Sequence, residues 1–343
     1  MKVESASDVF EILEAYVPSA LLGLALEKGL FWKLDARAMT AREVAEDYTI
    51  PVMRCRYWLD ILVNLGLLLC NQNKYSPSEI ASSAILSTIS QDAWHNIANE
   101  SRDSYPYLVN LSLSITEPGS AIQAQGVECR NYVQKMKDDP DRAVRFTRML
   151  LDLHRLLADN LGEVLNTKGV KRLMDLGGGS GIMSNAIVSR NPEVQSTIVD
   201  IENVCHAGEK IVSNFPTADR INYFTADFMT DELPTGFDMI LECDVCIYEE
   251  ALFKKLQGCL NPGGRLVIVD QFALEAGTVP HGRPLSWGFI RSMEDPAYTF
   301  PTEADVKNLL TKTGFRYLSE IQLSDNFLLI DAAVFSQELL FNT

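Results

Sequence analysis

Apolar positions recur at helical spacing through the first hundred residues, then change after Lys171 to short apolar runs separated by helical stretches. In the first part, Thr40 opens a predicted helix, Glu43 completes a capping box with it, and Val44, Ala45 and Tyr48 line its apolar side. A second helix begins around Thr49 and Pro51, since proline suits a first helical turn. It runs through Tyr57, Leu59, Ile61 and Leu62 and stops at Gly66. Leu67 to Cys70 and Lys74 to Ser76, joined by Asn71-Gln72-Asn73, read as a hairpin. Helix, helix, hairpin is the order of a winged helix. The second helix carries Arg54, Arg56 and Asp60 among many apolar residues, which favours packing or dimerisation over DNA reading.

Residues 100–165 hold no strand pattern. Phe146, Met149, Leu150, Leu153, Leu156 and Leu157 predict one long amphipathic helix, and His154 within it reads as a satisfied, partly buried histidine. Beyond Lys171, strands are predicted at Arg172 to Leu176, Ser196 to Val199, Tyr223 and Phe224, Phe237 to Leu241, and Arg265 to Val269. Alternation with helices makes this half α/β, with a mostly parallel sheet covered on both faces. Phe315 to Leu323 and Phe327 to Val334 supply an antiparallel edge pair, giving seven strands in all. The expected organisation is a helical winged module over residues 1–105, linking helices over 106–165 and the α/β domain over 166–343.

Composition narrows the function classes. Thirty Lys and Arg against forty-six Asp and Glu leave a formal charge of −16 over 343 residues. That disfavours nucleic acid and anionic membrane as partners. The longest apolar stretch near the N-terminus, Val17 to Leu26, contains Pro18, Ser19 and Gly23 and is too short to span a bilayer. Seven cysteines in a chain of this length read as reduced thiols, so a cytoplasmic location is expected. Cys243 and Cys246 form a lone C-x-x-C without a second ligand pair, and no metal site is expected.

The strongest chemical signal is Met174-Asp175-Leu176-Gly177-Gly178-Gly179-Ser180-Gly181, set between a predicted strand and an apolar helix. Its glycines permit a tight turn and close approach of backbone to ligand. A dinucleotide fingerprint would need glycine at 182, where this chain has Ile182. Asp175, at the mouth of the loop, suits a cationic ligand better than a diphosphate. Asp200 ends the next strand, where an acid accepts ribose hydroxyls, and Asp227 ends the third, within reach of an adenine amino group. A cationic amino acid end, a ribose and an adenine together specify S-adenosylmethionine.

The stretch Leu173 to Gly181, then Thr197-Ile198-Val199-Asp200, Ala226-Asp227-Phe228 and Asn261 to Asp270, resembles the class I small-molecule O-methyltransferases of the hydroxyindole and caffeic acid type. Ala25 through Leu34, the hairpin of Gly66 to Tyr75 and the closing Thr313-Gly314-Phe315 are similar to the same family, including its winged dimerisation domain. The resemblance implies a Rossmann-like domain and a homodimer acting on a small molecule. It also implies cofactor contacts at Asp175, Gly177, Gly179, Asp200, Asp227 and Phe228, with Met149 on the methionine side.

The resemblance also implies a general-base histidine just after the fourth strand, but this chain reads Glu242-Cys243-Asp244-Val245-Cys246-Ile247-Tyr248 there. Its histidines are at 95, 154, 206 and 281. Only His281 precedes the segment that lines the substrate pocket in relatives. Asp305, with Glu303 nearby, matches the family's supporting acid. The catalytic candidates are therefore Tyr248, as an orienting hydroxyl or weak base, with His281 and Asp305. Glu242 and Asp244 point to opposite faces if the strand persists. Leu285, Trp287, Phe289, Ile290 and Met293 follow a segment holding Gly277, Pro280, Gly282 and Pro284. Trp287, Phe289 and Ile290 are the candidate substrate contacts. The expected chemistry is direct displacement onto an O or C nucleophile of an apolar aromatic, polyketide or tetrapyrrole molecule, driven by proximity without a histidine base. Two alternatives stay open: a non-methylating elimination or rearrangement on the same scaffold, and a catalytically silent cofactor-binding dimer.

Overall fold

The computed structural model describes residues 3–273 and 283–335, and the chain divides into two units, Met1–Val109 and Asn110–Thr343. In the first unit Thr40 caps the helix Ala41–Tyr48: its side chain accepts from the Glu43 amide, and the Glu43 carboxylate accepts from the Thr40 amide at 2.7 Å. The next helix spans Val52–Asn64, with Pro51 as its N-cap and not inside the first turn; Gly66, with φ +74°, follows its end. Met39–Thr40 (β1), Leu68–Asn71 (β2) and Lys74–Pro77 (β3) make a small sheet in the order β1-β3-β2. Leu30, Phe31, Leu34, Leu59 and Leu62 are buried beneath it. Each such side chain contributes about 1.5–3 kcal/mol by leaving water.

The second unit is built on strands Arg172–Leu176 (β4), Gln195–Asp200 (β5), Ile221–Thr225 (β6), Phe237–Cys243 (β7), Leu260–Asp270 (β8), Phe315–Gln322 (β9) and Leu328–Val334 (β10). Their order is β6-β5-β4-β7-β8-β10-β9. The first five run parallel, and β10 lies antiparallel to both β8 and β9. Alternate residues feed opposite cores: Leu173, Met239, Leu241 and Val267 on one face, Met174, Leu176, Ile240 and Ile268 on the other. Burial on both faces explains why these strands read as continuous apolar runs. The expected α/β domain with seven strands is present, joined by helices that include Ile182–Arg190, Glu202–Val212, Glu250–Cys259 and Glu303–Lys312.

One element differs in kind. The single long helix predicted through Phe146 and Leu157 is two, Pro140–Leu153 and Arg155–Val164, broken at His154, whose φ of −92° and ψ of 3° leave the helical region. Among the described residues, no single helix is long and apolar enough to cross a membrane.

Candidate functional site

Strand order reverses direction of growth between β4 and β7, so the loops leaving these two strands diverge and open a crevice at the sheet's C-terminal edge. The glycine loop leaves β4 there. Gly177, Gly179 and Gly181 have φ of +68°, +44° and +74°, a region that side chains disfavour. A Cβ on Gly178 would strike the Asp175 carboxylate, and one on Gly181 would sit 2.6 Å from Val212 Cγ2. The loop is tied down from outside. The Gly177 amide donates to Val199 O at 2.8 Å, the Gly179 amide to Asp200 Oδ2 at 3.1 Å, and Tyr223 Oη donates to Gly179 O at 2.9 Å.

Two buried carboxylates stand at this loop. Asp175 accepts from Ser184 Oγ at 2.6 Å through Oδ2, and its buried Oδ1 has no hydrogen-bond partner. Burial pushes its pKa up to about 6, against the lowering effect of Ser184. Asp200 accepts from the Ile201 amide at 2.8 Å as well as from Gly179; burial dominates and pushes it up to about 7. Asp227 follows β6, with Lys137 Nζ 3.6 Å from its Oδ2. Phe228 brings its ring edge to 3.8 Å from the Cβ position of Gly177. A buried acid with one oxygen unpartnered, a glycine cradle and a second acid beside it fit a cationic nucleoside such as S-adenosylmethionine. Met149 is buried in the helix Pro140–Leu153, which packs on the helix Glu202–Val212.

The catalytic candidates fare differently. Tyr248 does not stand free as a base: its hydroxyl donates to Asp270 Oδ2, and its ring lies among Phe253 and Phe272. Burial, then the Asp270 charge, holds its pKa far above the ordinary phenol value. Asp305 is a capping residue. Its Oδ2 accepts from the Thr302 amide at 3.0 Å and from Thr302 Oγ1 at 2.6 Å, at the start of Glu303–Lys312. His281 lies outside the described residues. Trp287 packs edge-on to Tyr298 and tilted on Phe300, within the helix Arg283–Glu294 and the stretch after it. Burial, with Cys246 and the Asp270 carboxylate nearby, pushes the Tyr298 hydroxyl up to about 12, which puts this aromatic group beside the loop after β7. Phe289 is exposed and Ile290 half-buried on the same helix.

β7 ends at Cys243, so Glu242 and Asp244 are not related by strand alternation: Asp244 has a left-handed φ of +56°. Glu242 is buried with neither carboxylate oxygen hydrogen-bonded, and burial plus the neighbouring Asp270 raises its pKa. Asp244, Cys246 and Asp270 each offer a potential metal-ligand atom within 4.8 Å of the others. Asp270 Oδ2, however, already accepts from the Cys246 amide at 3.1 Å and from Tyr248. Sequence reading missed one contact. His154 Nε2 lies 3.1 Å from Asp244 Oδ2, and no local pattern links two residues ninety positions apart.

Comparison with known proteins bears on this geometry. The sequence profile of the O-methyltransferase domain family matches residues 120–316, more than half of the chain. The chain is 24% identical to the N,N-dimethyltransferase OxyT of Streptomyces rimosus over 335 residues, 95% of each protein. It is 27% identical to an L-tyrosine C(3)-methyltransferase of Streptomyces lavendulae over 191 residues, 54% of this chain and 52% of the relative. Its fold is similar to that of human N-acetylserotonin methyltransferase, solved with S-adenosylmethionine. That match has a TM-score of 0.79 at 20% identity and covers 98% of this chain and all of the other.

Proposed function

The chain belongs to the O-methyltransferase domain family and uses S-adenosylmethionine, and from that premise we propose that it methylates an O, N or C nucleophile on an apolar aromatic small molecule. The observation that carries the reading is the glycine loop gripped by Asp200, with the buried, unpartnered Oδ1 of Asp175 beneath it. In this reading Asp200 accepts the ribose hydroxyls, Asp227 receives the adenine amino group, and Phe228 flanks the nucleoside. The Asp175 carboxylate, once ionised, lends a negative field to the donor's sulfonium and ammonium groups. Bound there, S-adenosylmethionine supplies an electrophilic methyl whose departure leaves a neutral thioether, so no acid is needed at the leaving group. The protein's own share is alignment in a dry crevice, which is worth several kcal/mol of the barrier.

The aromatic group of Trp287, Tyr298 and Phe300, beside the β7 loop, supports a flat apolar acceptor. OxyT, by its name an N-methylating enzyme, and the tyrosine C(3)-methyltransferase support a nucleophile that need not be oxygen. The working form in this reading is a homodimer, supported by the exposed apolar Phe10, Leu13 and Tyr16 at the start of the first unit. The test is incubation of the protein with methyl-labelled S-adenosylmethionine and a panel of phenols, aromatic amines and electron-rich rings. Label appearing in an extracted product, matched by S-adenosylhomocysteine, is the expected result. Donor binding without label in any product would move the protein to the non-methylating alternatives.

A further inference from the structure

We propose that His154 is the general base that receives the acceptor's proton, with Asp244 as the positioning residue that holds its ring. This rests on the methyltransferase reading above. The pair is assembled from two elements. His154 sits at the break between Pro140–Leu153 and Arg155–Val164, its side chain 17% exposed and its Nε2 3.1 Å from Asp244 Oδ2. A carboxylate only accepts, so Nε2 carries the hydrogen and the lone pair is left on Nδ1. Among the described residues Nδ1 has no hydrogen-bond partner. Asp244 is itself fixed: its φ is left-handed, and its amide donates to Val269 O at 2.9 Å. The next residue, Val245, places Cγ2 3.1 Å from the Cβ position of Gly177. The pair therefore stands one residue from the cradle of the methyl donor. An imidazole oriented by a carboxylate through one nitrogen and free at the other is the working half of a base dyad.

Among the described residues the competing groups are engaged elsewhere or exposed. Tyr248 donates to Asp270, Asp305 caps a helix, and His206 is exposed on Glu202–Val212. His95 lies in the other unit with its Nδ1 2.8 Å from Glu27 O. In the step itself the acceptor O–H bond breaks and its proton passes to Nδ1. The oxygen pair forms the bond to the methyl carbon, and the carbon–sulfur bond breaks with its pair remaining on sulfur. The imidazolium then returns the proton to water. Among the described residues, Asp244 is the charged group in contact with the ring, Asp270 lies close to Asp244, and the Arg155–Asp152 ion pair at 2.9 Å lies on the two helices that His154 joins.

The experiment pairs His154→Gln, which keeps a donor toward Asp244, with Asp244→Asn. It uses 2-naphthol and the far more acidic 4-nitrophenol as acceptors, calorimetry with S-adenosylhomocysteine, and ¹⁵N NMR of the ring in the ligand-free protein. His154→Gln should bind S-adenosylhomocysteine within about twofold of wild type. Its turnover of 2-naphthol should fall about 10²–10³-fold, with the rising limb of the pH–rate profile gone. The loss on 4-nitrophenol, already ionised at pH 8, should be much smaller. Asp244→Asn should lose less than His154→Gln, and the wild-type spectrum should show the Nε2-protonated tautomer. Unchanged turnover in His154→Gln, a loss fully matched by weakened S-adenosylhomocysteine binding, or an Nδ1-protonated ring would each overturn the proposal. A wild type that labels neither phenol would count against the methyltransferase reading for those acceptors, while the tautomer would still decide the dyad.

Discussion

The acids under and beside the glycine loop are held protonated more readily than surface carboxylates, and this has measurable consequences. Asp200 is pushed up to about 7 by burial, while the ribose hydroxyls of a bound donor would hydrogen-bond its ionised form. Binding should therefore release a proton below about pH 7, and affinity should fall as pH drops. Calorimetry in buffers of different ionisation enthalpy reads that proton directly. Asp200→Ala should cost one or two charge-assisted bonds, about 1.5–3 kcal/mol each, seen as weaker binding at pH 8. The same groups set a trend in stability. Asp175, Asp200 and Asp270 keep protons in the folded state that the unfolded chain gives up near pH 4, so their contribution is greatest at low pH and is lost as pH rises to about 7. Across that window the ligand-free protein should melt at progressively lower temperature with rising pH; a melting temperature that climbs instead would contradict the buried-acid assignment. Much of this site was legible beforehand, because Asp175, Gly177, Gly179 and Asp200 follow one another along strand–loop–helix units. The His154–Asp244 pair was not, because it depends on a helix break and a left-handed aspartate that local spacing does not announce.

At the scale of elements, apolar runs located all seven strands of the second unit; β4 matches its expected bounds, and the others differ by up to five residues at one end or both. β8 starts at Leu260 and not at Arg265, because Leu260 already pairs with Phe237; a register shift across Asn261 to Gly264 then brings Arg265 opposite Met239. The capping box that opens Glu303–Lys312 has the same three-residue spacing as Thr40 and Glu43, so the local role of Asp305 was readable from Thr302. Resemblance drew it toward chemistry. Thr302→Ala should lower unfolding stability by about 1 kcal/mol in urea titrations. Asp305→Ala should shift the urea midpoint in the same direction and leave kcat unaltered. A large kcat loss in a folded Asp305 variant would return that residue to the active site. Gly208 shows how closely elements approach here: any Cβ would collide with Tyr223 Oη and the Gly179 carbonyl, so the helix Glu202–Val212 props the loop from behind.

For the whole molecule, the charge of −16 and the exposed apolar positions of the first unit point the same way. Light scattering should give twice 38.3 kDa at micromolar concentration; a stable monomer would remove the dimer from the proposed function. Salt-sensitive binding to duplex DNA would contradict the reading of the winged module, whose Tyr75 hydroxyl donates to Asp60 at 2.6 Å on the second helix. The strand order has a further consequence, one of time. β10 follows β9 in the chain yet lies inside the sheet, between β8 and β9. During synthesis the outer side of β8, with Leu266, Val267, Ile268 and Val269 already made, has no strand to pair with until residues 328–334 emerge. At about 5–20 residues per second that interval lasts several seconds. Through it the nascent chain carries an open apolar edge ready to pair with any neighbour, which makes this stretch the natural site of chaperone engagement on the ribosome.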